Sequence, residues 1–116
     1  MTPEAYVVKY LETALPGVSV FGEVPAKEPI EDFITVELTG AGISNQVSSA
    51  TLAVDAWSTS RSAAMALSAE VRAAMFQMLE EDEISLVELE TEYNNPRLST
   101  KHPRYRTMWR IVYVSI

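Results

Sequence analysis

Cysteine is absent from this 116-residue chain, which removes disulfides, thiolate nucleophiles and thiolate metal ligands together. A small secreted domain is more often stapled by disulfides, so their absence favours folding inside a cell. Histidine occurs once, as His102. A structural zinc site wants four Cys or His ligands and a triad needs a base, so zinc is excluded as a structural element and any triad or general-base scheme would have to run through that residue. Its setting, Lys101-His102-Pro103, reads as a solvated loop, and an enzyme is not expected.

Long apolar runs are missing too. None approaches the ~20 residues that a membrane span requires, and Met1-Thr2-Pro3-Glu4 lacks the basic and apolar regions of a signal peptide. No membrane partner and no targeting address are expected. Basic residues are scarce: nine Lys and Arg stand against sixteen Asp and Glu, a formal net charge of −7. Such a chain repels a DNA duplex, because general affinity for nucleic acid comes from neutralising phosphates.

The charge is unevenly divided. Residues 1–96 hold four bases and all sixteen acids, a net −12, whereas residues 97–116 hold five bases and no acid, a net +5. The bases Arg97, Lys101, Arg104, Arg106 and Arg110 lie in or just after the stretch YNNPRLSTKHPRYR. A charge dipole of this kind suits head-to-tail association of copies. Interleaving with Tyr93 and Tyr105 also leaves room for single-stranded nucleic acid, bound by stacking and charge.

What is present folds readily: 47% of residues are hydrophobic and 22% charged, an ordinary globular composition for one domain. Thr2-Pro3-Glu4 has the form of a helix start, and Val7, Val8, Leu11, Ala14 and Leu15 form one apolar stripe that Pro16-Gly17 ends. Val18 to Phe21 is a short extended piece. From Phe33 to Thr39 the pattern alternates as in a strand, with Ile34, Val36 and Leu38 on one face. Residues 40–49 read as a polar, flexible hairpin tip, and Thr51 to Trp57 as the returning strand. Ser58-Thr59-Ser60 supplies capping hydroxyls for a helix whose stripe, Ala64, Leu67, Val71, Ala74, Met75 and Met78, runs to about Leu79.

Two further strands, about Ile84 to Tyr93 and Arg104 to Ser115, flank the basic loop. Strict alternation turns Leu86, Glu88, Glu90 and Glu92 to one side, opposite Arg104, Arg106, Met108 and Arg110, so glutamates are expected to face arginines. The class is therefore α+β: an antiparallel or mixed sheet of about four to five strands with two helices packed on one face.

Two other patterns resemble ligand sites only superficially. Glu80 to Glu83 lacks the spaced ligands and mid-loop glycine of a calcium loop and reads as a solvated helix end. Gly40-Ala-Gly42 follows a strand, as phosphate loops do, but leads to another strand and no Gly-Lys-Ser/Thr follows. No cofactor is expected.

Taken together, YLETALPGVSVFGEVP, DFITVELTGAG, ATLAVDAWSTSRSAAMALSAEVRAAM and YNNPRLSTKHPRYRTMWRIVYV resemble the tail terminator (tail completion, head–tail joining) proteins of long-tailed bacteriophages and prophages. The likeness runs over nearly the whole chain and rests on the combination, since neck and minor tail proteins share similar folds. It implies a structural virion protein, folded in the bacterial cytoplasm. Such a protein forms a ring, typically hexameric, at the head-proximal end of the tail tube, stops tube polymerisation and offers a docking surface to the neck. Its partners would be copies of itself, the tail tube protein and a neck or head-completion protein, with DNA only passing through an acidic lumen. The expected contact residues lie in the two polar segments, Gly42, Asn45 and Gln46 in the hairpin and Arg97, Lys101, His102 and Arg104 in the basic loop, both reaching beyond the globule. A head-closure or minor tail component is the alternative within this class, and a nucleic-acid-binding module the alternative outside it.

Overall fold

A computed structural model describes residues 1–114 and 116. The chain begins with helix α1 (Pro3–Ala14), which starts as its sequence dictates: Thr2 Oγ1 accepts from the Ala5 amide at 3.1 Å, proline occupies the first turn and Glu4 sits at the positive end of the dipole. Strand β1 (Ser19–Phe21) follows, then β2 (Phe33–Ser44), β3 (Val47–Trp57), helix α2 (Arg61–Gln77) with a 3-10 turn over Met78–Glu80, β4 (Ile84–Asn94) and β5 (Arg104–Tyr113). Ser60 caps α2 through its hydroxyl, which accepts from Ala63 at 3.1 Å. Of the last strand expected from the sequence, Ser115 lies outside the described residues.

The five strands form one sheet in the order β1-β2-β3-β5-β4, antiparallel throughout except for the short parallel pair β1–β2. Two helices cover one face, so the fold is α+β with a mixed sheet. Val7 and Leu11 from α1 and Leu67, Val71 and Met75 from α2 meet Ile34, Val36, Leu52, Val54, Trp109 and Ile111 from the sheet in a single buried cluster. Two polar groups of that layer are satisfied, Trp109 Nε1 donating to Thr107 Oγ1 at 2.7 Å and Thr107 Oγ1 to the Val54 carbonyl at 3.0 Å, whereas the buried Ser68 hydroxyl of α2 has no partner among the described residues.

Three details depart from the sequence pattern. Residues 40–49 are not a flexible tip: β2 and β3 stay paired to Ser44–Val47, leaving a two-residue turn at Asn45 and Gln46 with φ of 52° and 66°. Positive φ at both positions matches the right-handed twist of the strands, so small residues here build a tight ladder rather than a loop. The β2 register shifts between Leu38 and Gly40, and a Cβ at Gly40 would stand 2.8 Å from Thr51 Oγ1, so a larger residue there would have to displace the Thr51 side chain.

The second departure is in β4, whose pairing with β5 slips after Ile84 and again after Leu89. Glu88 does stand opposite Arg110, but the second bulge leaves Glu90 unpaired and brings Glu92 opposite Thr107 on the helix side. Glu92 there meets Arg72 of α2 at 2.8 Å. A single extra residue reverses the side on which every later side chain falls, which is why the expected row of glutamates facing arginines does not form.

The third departure concerns the face left bare by the helices. Phe33 and Trp57, placed by alternation on that side, are 0% exposed and stack at a centroid distance of 5.0 Å. Phe21 meets Phe33 edge-on at 6.0 Å. A second, smaller apolar layer therefore lies on the reverse face, under the β1–β2 and β4–β5 connections.

Candidate functional site

The residues singled out in the sequence fall at the two ends of the sheet. Gly42, Asn45 and Gln46 are exposed at the β2–β3 turn end. Arg104 pairs with Trp57 at the other end of β3, so ten residues of strand, roughly 33 Å, separate the two groups. The structure brings Arg97, His102 and Arg104 together and keeps the hairpin residues apart from them.

The basic connection does not reach away from the globule; it closes over the reverse-face aromatics. Arg97 and His102 are bridged to each other by main-chain hydrogen bonding, with the Arg97 amide donating to the His102 carbonyl at 3.0 Å. Both side chains turn to Glu28 in the β1–β2 connection. Arg97 pairs with its Oε1, and His102 Nδ1 lies 3.3 Å from its Oε2. The His102 ring stands edge-on to Trp57 at 5.1 Å and to Phe33 at 5.7 Å, so this histidine is an 18% exposed packing residue and not a solvated one. Arg104 lies over the Trp57 ring, its Cζ 4.8 Å from the centroid, and donates from Nε to the Asn95 carbonyl at 2.6 Å. Lys101 alone of the four stays exposed, in a left-handed conformation with φ of 56°.

Two neighbouring bonds complete the clasp. The Ser58 amide donates to the Pro103 carbonyl at 3.2 Å and the Ser58 hydroxyl to Asp32 Oδ1 at 2.6 Å, tying both connections to the end of β3. Burial alone would raise the Glu28 carboxyl, but hydrogen bonds from His102 and then Arg97 outweigh it and hold its pKa below the ordinary value.

Beside the clasp, Arg106 grips Asp55 through two bonds, Nε to Oδ1 at 2.8 Å and Nη2 to Oδ2 at 2.9 Å. This paired geometry raises the guanidinium's pKa, hydrogen bonding to Asp55 being the largest cause, so the ion keeps its charge throughout the accessible pH range. Sequence alternation placed Asp55 opposite the apolar face without assigning it a partner. Its signal was a single carboxylate inside the run Thr51–Trp57, since a charge in the middle of a central strand needs a counter-ion.

A separate open groove of about 340 Å³ runs between α1 and the turn before β4, lined by Tyr6, Lys9, Tyr10, Thr13, Glu81 and Glu83 among others. Tyr10 donates to the Ala74 carbonyl at 2.7 Å and Tyr6 to Glu83 at 3.5 Å. Burial and then the Glu83 charge push the Tyr6 phenol up to about 12. The apolar stripe of α1 does not include these tyrosines; their i, i+4 spacing is the sequence signal for this wall.

The arrangement offers packing and charge closure rather than converging reactive groups. The single histidine is held by a carboxylate and two aromatic rings, and among the described residues no group of three or more His, Cys, Asp or Glu is placed to hold a metal ion. Comparison of the chain with protein-family models and with curated proteins returns no match.

Proposed function

We propose that this chain is a structural subunit that assembles with copies of itself, as a ring at the head-proximal end of a phage tail tube. There it ends tube polymerisation and presents the surface on which the neck docks. The observation that carries this reading is the polarity of the sheet: an uncharged, exposed hairpin at one end and a closed charge clasp at the other, on a body 43 × 26 × 24 Å across. A subunit that stops a polymer has to offer two unlike ends, one to the tube and one to the neck. Its net charge of −7 lets DNA pass a lumen without adhering.

Tails assembled without the protein, viewed by electron microscopy, test the reading. Overlong tails, headless or not, are expected, and tails of normal length that join heads would refute it. Headless tails of normal length would favour the neck or head-closure alternative. The nucleic-acid alternative is addressed by duplex and single-strand affinity at physiological salt, where binding at or below the micromolar range would favour it.

A further inference from the structure

Two strands close the sheet without a neighbour on their outer side. β4 is the last strand at one edge, and β2 is unflanked beyond Thr35, where its pairing with β1 stops. An open edge is a template for another strand, and proteins blunt it with charges, proline or bulges. Beyond Val87, β4 is blunted in this way by Glu88, Glu90, Glu92 and the slip after Leu89; the Ile84–Val87 part carries the slip after Ile84 but no charge. The open part of β2 has its one irregularity between Leu38 and Gly40; beyond it the edge is regular to Ser44, and no charged residue and no proline occurs between Glu37 and Asp55. On this edge Ala41 is exposed and Ile43 is 74% exposed.

The registers align what the two edges leave open. Followed across the sheet through β3 and β5, Ala41 on one edge shares a row with Val87 on the other, and Gly42 with Leu86. Both uncharged stretches thus stand at the same height. β2 and β4 also run in opposite directions, because each step from β2 through β3 and β5 to β4 is antiparallel. Rotation about an axis along the strands therefore sets β4 of one copy antiparallel beside β2 of the next, in level, and the operation repeats without reversal until it closes. Copies of a −7 chain repel one another, and this is the height at which neither edge brings a charge to the contact. Nothing in the neutral strip would select a partner of opposite sign, whereas a second copy supplies an edge of matching height, direction and neutrality.

We infer that the outer edge of β2 at Thr39–Ser44 pairs with the Ile84–Val87 part of β4 of a second copy, continuing the sheet from subunit to subunit. The inference rests on the self-assembling reading for the presence of further copies, and adds the surface through which they meet.

Because the chain has no cysteine, an Ala41→Cys/Val87→Cys variant tests the contact directly. Within one copy the two positions lie three strand spacings apart, roughly 14 Å, beyond the ~7 Å limit for a disulfide. Mild oxidation should therefore give a ladder of covalent multimers that reductant collapses, and neither single variant should pass beyond a dimer. In parallel, Ala41→Lys/Ile43→Lys should weaken self-association, measured by sedimentation, at least about tenfold. Its circular dichroism should be unchanged, and Ser99→Lys/Thr100→Lys, which adds equal charge to the exposed β4–β5 connection, should not weaken association.

Wild-type association without a ladder, and undiminished by the edge lysines, would overturn the inference while leaving the ring reading intact. Equal weakening by both lysine pairs would also overturn it, by showing that the effect does not depend on the β2 edge. A wild-type chain that stays monomeric at every concentration, and gives no ladder, would overturn the edge contact; the ring reading is judged separately by the tail phenotype.

Discussion

Asp55→Ala removes one half of the most enclosed ion pair in the structure. Asp55 is 3% exposed and both of its oxygens are taken by Arg106. Deleting the carboxylate leaves a guanidinium facing a gap with no counter-charge. Breaking a buried pair in this way costs about 3–5 kcal/mol. The Arg106 side chain keeps 20% of its surface, so water recovers part of that, and the expected loss is about 2–4 kcal/mol. For a domain of 116 residues this lowers Tm by about 10 °C. Urea unfolding followed by circular dichroism gives the free energy, and an unchanged denaturant slope would show that the compactness of both states is preserved. The reasoning makes a second, less obvious claim. Replacing both partners, as Asp55→Ala/Arg106→Met, should recover most of the loss, because the penalty lies in the orphaned charge and not in the lost attraction. A single-variant loss below about 1 kcal/mol, or a double variant less stable than the single, would refute the account.

Three further outcomes rest on local geometry. Glu28 titrates below its ordinary value in the folded chain, so its contribution is present above about pH 4.5 and disappears as pH falls through the folded pKa; wild-type stability should decline on acidification more steeply than that of Glu28→Gln, and parallel curves would argue against the clasp. Gln46 holds φ of 66° in a turn that favours glycine, so Gln46→Gly should raise stability by about 0.5–1 kcal/mol in the same unfolding assay. Gly40→Ala should destabilise by about 1–3 kcal/mol through contact with Thr51 Oγ1, and adding Thr51→Ala should reverse part of that loss, a rescue that a purely conformational role for the glycine would not give.

Where periodicity and capping agree, the fold was legible in the chain. Thr2-Pro3-Glu4 and the Val7–Leu15 stripe marked α1, Ser60 and the alanine-rich stripe marked α2, and alternation marked the two hairpins. Each of those signals is local. What escaped depends on the third dimension. The slips in β4 at Ser85 and Glu90 carry no glycine or proline to announce them, since a bulge answers to the twist of the sheet and to what the helix above demands of Glu92. Phe33 and Trp57 fall by alternation on the face opposite the helices, but a lid made of two connections far apart in sequence cannot be seen from alternation. Arg97, His102 and Arg104 come together in the folded chain, but the expected outward reach of their loop does not hold: proximity along a loop says nothing about whether the loop points out or folds back.

That inward turn changes what the charge asymmetry can do. The five bases of residues 97–116 suggested a basic surface set against an acidic body. In the folded chain Arg97 is held by Glu28 and Arg106 by Asp55, Arg104 lies on Trp57, and Arg110 stands opposite Glu88. Only Lys101 among them stays exposed. Most of the positive charge is therefore committed to the reverse face, where the Arg106–Asp55 pair is short and largely shielded from salt. Long-range attraction between unlike patches is correspondingly weak, and copies of this chain present one another with net repulsion. Association, if driven by contact area and main-chain hydrogen bonds at a neutral edge, should then strengthen as salt is added and the repulsion is screened. Association driven by a basic patch meeting an acidic one should weaken. Sedimentation across a salt series separates the two by the sign of the slope, and a fall in association with rising salt would return the contact to the basic loop.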